Sequence, residues 1–109
     1  VIGGDFNFKS FGERLASESI QTDRSEFRAL QEFRANGFSV AWRDSHPAEP
    51  LPQTLRWNGA PTTPYHCDGF LTRGFVETAI TCDVVSAEFA VGYSDHNPLL
   101  LQVWSGETA

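Results

Sequence analysis

Methionine is absent from the 109 residues, cysteine occurs only at Cys67 and Cys82, and no apolar run approaches the length of a membrane span. Each shortage excludes something. Two thiols cannot build a disulfide-dense scaffold or a four-cysteine zinc centre. A bilayer-crossing helix needs about 18 or more consecutive apolar residues. No basic-then-apolar leader opens the chain; Val1-Ile2-Gly3-Gly4-Asp5-Phe6 already reads as a strand running into a turn. With no Met, the expected true start of the protein lies upstream of Val1. Internal repeats and low-complexity tracts are missing as well.

Positive charge is in the minority: eight Lys and Arg face fourteen Asp and Glu, a net charge of −6. That balance argues against a dedicated nucleic-acid-binding module. It also leaves carboxylates available to hold a divalent cation. Large apolar side chains are plentiful, with 40% hydrophobic residues, nine Phe and three Trp. This composition lies outside the disordered range and suits one core in a chain sized for one small domain.

Residues 1–5 read as a short buried strand, and 8–22 as a loop with a helical turn. Asp23 and Glu26 form a D-x-x-E variant of the capping box. Phe27, Leu30 and Phe33 then recur at spacing three as the apolar stripe of a helix. Asn36-Gly37 ends it, with Phe38 placed to pack back on Phe33. Phe38, Val40 and Trp42 alternate with Ser39, Ala41 and Arg43, the pattern of a half-buried strand. Pro47, Pro50 and Pro52 make 44–53 a loop without regular structure. Thr54 to Trp57 is a short strand candidate followed by an Asn58-Gly59 turn. Tyr65 to Leu71 and Val76 to Val85 read as a hairpin turning near Arg73-Gly74. In that hairpin Cys67 and Cys82 would be diagonal neighbours about 7 Å apart, buried and unlinked. Leu99 to Trp104, apolar on nearly both faces, is expected to be a central closing strand. One helix among about five or six strands gives an α/β or α+β layered half-domain.

Three clusters place acidic or amide side chains where an apolar strand meets a turn, a position that is rigid yet reaches solvent. The first is Gly4-Asp5-Phe6-Asn7, where Asp5 and Asn7, two apart, point to one side. The second is Tyr65-His66-Cys67-Asp68-Gly69-Phe70-Leu71, with Asp68 inside an otherwise apolar strand. The third is Ser94-Asp95-His96-Asn97-Pro98. Singly, each has a plain structural explanation: Asp5 and Asp95 as turn formers, Asp68 as a partner for Arg73, His96 as a surface imidazole. His46, in the proline-rich loop, is expected to be solvated. His66 shares a strand face with Asp68. A His–Asp pair also occurs in serine hydrolases, but no G-x-S-x-G elbow is present. Asp and Asn oxygens suit Mg²⁺ or Mn²⁺ better than zinc, and no Cys/His zinc pattern competes along the sequence.

In their order and separation, these clusters resemble the second half of the endonuclease/exonuclease/phosphatase superfamily, the deoxyribonuclease-I-like fold. Gly4 to Asn7 resembles the family's G-D-F-N element, Thr54-Leu55-Arg56-Trp57 its Thr-x-x-aromatic strand, Asp68-Gly69-Phe70-Leu71 its Asp-aromatic-Ile-like strand, and Ser94 to Pro98 its S-D-H-x-P turn. The resemblance spans essentially all of 1–109 and implies the C-terminal part of one domain, half of a four-layer α/β/β/α sandwich. The family's N-terminal half, which contributes an Asn and the principal metal-binding Glu, has no counterpart here and would be the chief partner. Where the family commonly carries an aromatic after the strand Asp, this chain has Gly69, expected to open space beside Asp68 or shift the strand.

By that resemblance the full-length protein is a metal-dependent phosphoesterase, and this piece alone is inactive. Asp5 would orient or deprotonate the attacking water, or protonate the leaving group. Asn7 would hold a phosphate oxygen or that water. His96 would hydrogen-bond the phosphate, with Asp68 fixing its tautomer. Asp5, Asn7 and Asp95 would contribute to a Mg²⁺ or Mn²⁺ site. The substrate would be a nucleic acid, a phosphoinositide or a phospholipid head group. The alternative is a non-catalytic interaction domain that keeps the fold without the chemistry.

Overall fold

The computed structural model describes residues 1–11, 13, 24–56, 65–75, 79–85, 88 and 92–104. Among them are β1 (Ile2–Asp5), α1 (Arg24–Ala35), β2 (Ser39–Val40), α2 (Ala41–Ser45), β3 (Asp68–Thr72), β4 (Ile80–Val84) and β5 (Leu99–Val103). β1, β3 and β2 form one antiparallel sheet in that order, and β4 pairs antiparallel with β5 in a second. The architecture is α+β, with antiparallel sheets and two helices. No described helix is long and apolar enough to cross a membrane. Asp23, residues 14–22, Trp57, the Asn58-Gly59 turn and Val76 lie outside the described residues.

Helix α1 ends as its sequence directs. Gly37, at φ 84°, lets the Gly37 amide donate to the Arg34 carbonyl and the Phe38 amide to the Phe33 carbonyl, both at 3.0 Å. This is the paired closure of a Schellman motif, sealed by the Phe33–Phe38 ring contact at 5.7 Å. The inward face differs from the expected stripe. Leu30 is buried and Phe33 partly so, but Phe27 is 46% exposed and Glu26 is the buried residue one turn before Leu30. Glu26 accepts hydrogen bonds from the Lys9 and Ser10 amides at 2.9 and 3.0 Å, tying the helix to the loop after β1. Leu30 joins Phe11, Val40 and Leu71 in a first core.

The strand expected over 38–43 stops at Val40. Val40, Ala41 and Trp42 are buried in succession, which a half-buried strand cannot achieve, and the chain turns into α2. Helix α2 reaches Ser45, into the segment expected to hold no regular structure. It carries Ala41 and Trp42 into a second core with Ile80 and Cys82, against which Phe70, Leu99 and Leu101 pack.

The expected hairpin does not form. Both edges of β3 are occupied, by β1 and β2, so β4 enters the other sheet with β5. Cys67 and Cys82 are therefore not hairpin neighbours, although both are buried free thiols. Strand β5 is not central: among the described residues its one strand partner is β4, and Leu100 and Val103 are exposed. In place of a Thr54–Trp57 strand, Leu55 makes isolated bridges to Tyr65 on one side and His96 on the other.

Candidate active site

The β1–β3 register sets Asp5 directly opposite Asp68, at the end of one strand and the start of the other. The 94–98 turn is brought to the same edge by the segment 54–56. Leu55 bridges His96, the Arg56 amide donates to the Asp95 carbonyl at 2.8 Å, and the Asn97 amide donates to the Thr54 carbonyl at 2.7 Å. Thr54 is fully buried, and its Oγ1 accepts from the amides of Cys67 (3.0 Å) and Asp68 (3.3 Å). One short segment thus fastens both functional stretches.

The turn is held rigidly. Asn97 is buried and donates from Nδ2 to the Gln53 carbonyl at 3.0 Å. The Arg56 guanidinium donates to Asn97 Oδ1 and to the Ser94 carbonyl. Ser94 Oγ accepts from the His96 amide at 3.0 Å. Thr54, Arg56 and Asn97 received no role from sequence reasoning. A signal did exist for Arg56, the one Lys or Arg between Arg43 and Arg73.

His96 is the centre of the arrangement. Its Nδ1 lies 2.8 Å from Asp68 Oδ2, and its Nε2 is 3.8 Å from both Asp5 Oδ2 and Asp95 Oδ1. With Nδ1 engaged by a carboxylate, Nδ1 carries a proton, and Nε2 is the ring nitrogen nearer Asp5 and Asp95. Burial acts to lower the His96 pKa, but the hydrogen bond and charge of Asp68, then the charges of Asp95 and Asp5, outweigh it and raise the imidazole above its ordinary value. Asp5, Asp68 and His96 line a cleft of about 210 Å³ together with Gly4, Gly69, Phe70 and the 97–99 segment.

Gly69 neither opens space nor displaces the strand. Phe11 fills the position: a Cβ on Gly69 would lie 2.5 Å from the Phe11 ring. Phe11, from the loop after β1, thus packs on the backbone beside Asp68.

Asn7 is brought close through its backbone. At φ 57° its amide donates to Asp5 Oδ1 at 2.8 Å, orienting that carboxylate. Asn7 itself lines an adjoining cleft of about 230 Å³ with Phe8, Lys9, Leu55, Tyr65 and Cys67. The structure therefore gathers Asp5, Asp68 and Asp95 around the His96 imidazole and places Asn7 beside them.

The other histidines are structural. His66 is buried, with Nδ1 2.7 Å from the Pro52 carbonyl, and burial lowers its pKa despite that bond. His46 is not solvated: it stacks on Trp42 at 4.7 Å, with Nε2 2.9 Å from the Cys82 carbonyl and 3.1 Å from Asp83. Arg73, expected as a structural partner for Asp68, instead lies over the Phe38 ring, its guanidinium carbon 5.2 Å from the centroid.

Two donor sets could hold a cation. Asp5 and Asp95 are exposed, and each presents a hard oxygen 3.8 Å from His96 Nε2. Mg²⁺ is characteristically bound by one or two carboxylates, with water and substrate phosphate completing the shell, so either carboxylate could contribute to such a site, although the two do not form a group of donors within 4.8 Å of one another with His96. The second set was invisible as a sequence pattern: a Cys67, an Asp68 and a His96 ligand atom lie within 4.8 Å of one another. No protein-family model, curated protein or solved structure matches the chain.

Proposed function

We propose that this chain is the C-terminal part of an endonuclease/exonuclease/phosphatase domain, half of a four-layer sandwich, and that the complete protein hydrolyses a phosphate ester with Mg²⁺ or Mn²⁺. The observation that carries this reading is the His96–Asp68 hydrogen bond with Asp5 directly across the β1–β3 pair. Asp5, Asn7 and Asp95 would hold the cation, which supplies charge neutralisation on the phosphoryl group when bound.

The chain's own residues do the rest. Asp68 accepts from His96 Nδ1, fixes the tautomer and favours the imidazolium, so Nε2 donates a hydrogen bond to a phosphoryl oxygen as charge builds there. Asp5, aimed by the Asn7 amide, orients the attacking water or exchanges a proton with the reacting oxygens. Asn97 and Arg56 hold the His96 turn so that it need not reorganise during reaction. Asn7, beside Asp5, would hold a phosphate oxygen or the attacking water.

The test is hydrolysis of an activated phosphodiester by the full-length protein with Mg²⁺ or Mn²⁺. Chelation should abolish turnover. His96→Ala and Asp5→Asn should each reduce the rate at least about a hundredfold, the scale of losing a charge-stabilising or acid–base group. Near-wild-type rates in both variants would overturn the assigned roles.

A further inference from the structure

Cys67 is not used by the proposed hydrolytic chemistry, yet it sits against it. Its Sγ lies 3.9 Å from Asp68 Oδ2, the same oxygen that is 2.8 Å from His96 Nδ1. The residue is buried and lines the cleft beside Asn7, while Asp68 and His96 line the neighbouring one. A sulfur, a carboxylate oxygen and an imidazole nitrogen, mutually within 4.8 Å, form the donor set of an open tetrahedral centre with three protein ligands and one water. Bonds of that type place neighbouring donors roughly 3.3–3.6 Å apart. The present spacings, 3.9 Å from Cys67 Sγ to Asp68 Oδ2 and 2.8 Å from that oxygen to His96 Nδ1, bracket this range.

We propose that Cys67, Asp68 and one ring nitrogen of His96 form a site for a thiophilic divalent ion of the zinc type, and that filling it switches the hydrolytic site off. On binding, the Sγ–H bond breaks, its proton leaves to solvent, and the thiolate lone pair goes to the metal. His96 binds as neutral imidazole: the proton on its ligating nitrogen also leaves to solvent, and the one on the other nitrogen stays. No oxidant or reductant takes part. The sulfur ligand favours a thiophilic ion over one that prefers oxygen alone. Mg²⁺, which prefers oxygen, does not compete for the sulfur. Inhibition follows because the incoming ion uses the Asp68 and His96 groups required for phosphoryl stabilisation.

The binding claim stands on geometry alone; the inhibition claim rests on the hydrolytic reading, and the experiment separates them. Full-length protein is titrated with Co²⁺, whose bond to a thiolate gives a near-ultraviolet charge-transfer band, and Zn²⁺ is then added. The expected result is a band that saturates at one ion, is bleached by Zn²⁺, vanishes in Cys67→Ser and Cys67→Ala, and weakens in Asp68→Asn. No band in the wild type, or a band that persists in folded Cys67 variants and so comes from another thiol, overturns the site. In the hydrolysis assay, Cys67→Ala should raise the Zn²⁺ concentration for half-inhibition at least about tenfold, the scale of losing a ligand-shell group. Equal Zn²⁺ sensitivity in wild type and variant overturns the inhibitory role, even where the absorption band is present.

Discussion

Replacing Gly69 with alanine tests whether Phe11 fills the space beside Asp68. Gly69 lies opposite Gly4 in the β1–β3 register, and a methyl built on it would sit 2.5 Å from Phe11 Cζ and 2.8 Å from Cε2. Phe11 has little room to retreat. It is buried and meets Phe8, Phe6 and His66 edge-on at 5.1, 5.4 and 5.7 Å. Overpacking of this kind costs about 1–3 kcal/mol. Alanine ordinarily gains roughly 0.5–1 kcal/mol over glycine inside a strand. Gly69→Ala should therefore reverse the usual sign and destabilise by about 1–2 kcal/mol. With a urea slope of about 1–3 kcal/mol per molar, the unfolding midpoint should fall by about 1 M. Circular dichroism through the transition measures it. Shortening the ring should relieve the clash, so Gly69→Ala combined with Phe11→Leu should cost less than the two singly, by at least about 0.5 kcal/mol. A neutral or stabilising Gly69→Ala, or strict additivity with Phe11→Leu, would refute the packing argument.

Asp68→Asn should lower the His96 pKa, because it removes the main group that outweighs burial there; an unchanged midpoint in an NMR titration of the ring would contradict the pairing. His46 should titrate above 6.5 and His66 below it, in the same spectra. The raised pKa of His46, where the Glu49 hydrogen bond, the Cys82 carbonyl and the charges of Glu49 and Asp83 outweigh burial, contributes stability that is complete below 6.5 and lost as pH rises through the folded value. His46→Asn should therefore lose more stability at pH 5 than at pH 9 in urea titrations, and an equal loss at both would remove that linkage.

Local rules were legible in the sequence, and pairings that depend on the rest of the fold were not. The Asn36-Gly37 stop and the Phe33–Phe38 contact follow from backbone freedom at one glycine, and both are present. The inward face of α1 was misjudged because spacing three alone does not distinguish Phe27 from Glu26, and the amides of Lys9 and Ser10 draw the carboxylate inward. The five residues of α2 are too few to show helical periodicity. Gly74, at φ 84°, does carry a turn conformation, but whether two flanking strands pair depends on a free edge, and β3 has none. At the candidate site, the residues that offer chemistry announced themselves at strand ends. The Asp5–Asp68 pairing, the Thr54 hydroxyl beneath Cys67 and Asp68, and the approach of Cys67 to His96 arise from segments far apart in sequence.

The electrostatics of that site lead to a last prediction. A structural His–Asp pair is complete with Asp68, whose Oδ2 is already 2.8 Å from His96. Asp5 and Asp95 add two carboxylates beside the same ring, and Asp5 stands directly opposite Asp68, where like charges destabilise a strand pair. One imidazolium offsets only one of three negative charges. Without a cation, the cluster should therefore repel a phosphate group as well as fail to hydrolyse it. Under the proposed function, Mg²⁺ should govern binding of the anion and not the chemical step alone. Calorimetric titration of full-length protein with inorganic phosphate should show binding with Mg²⁺ and at least about tenfold weaker binding after chelation, a difference of roughly 1.4 kcal/mol. Asp95→Asn, which removes one repelling charge from the exposed side, should recover part of the metal-free affinity. Equal phosphate affinity with and without the ion would show that these carboxylates do not act as a cation-dependent gate, and the metal-dependent reading of the site would fall with it.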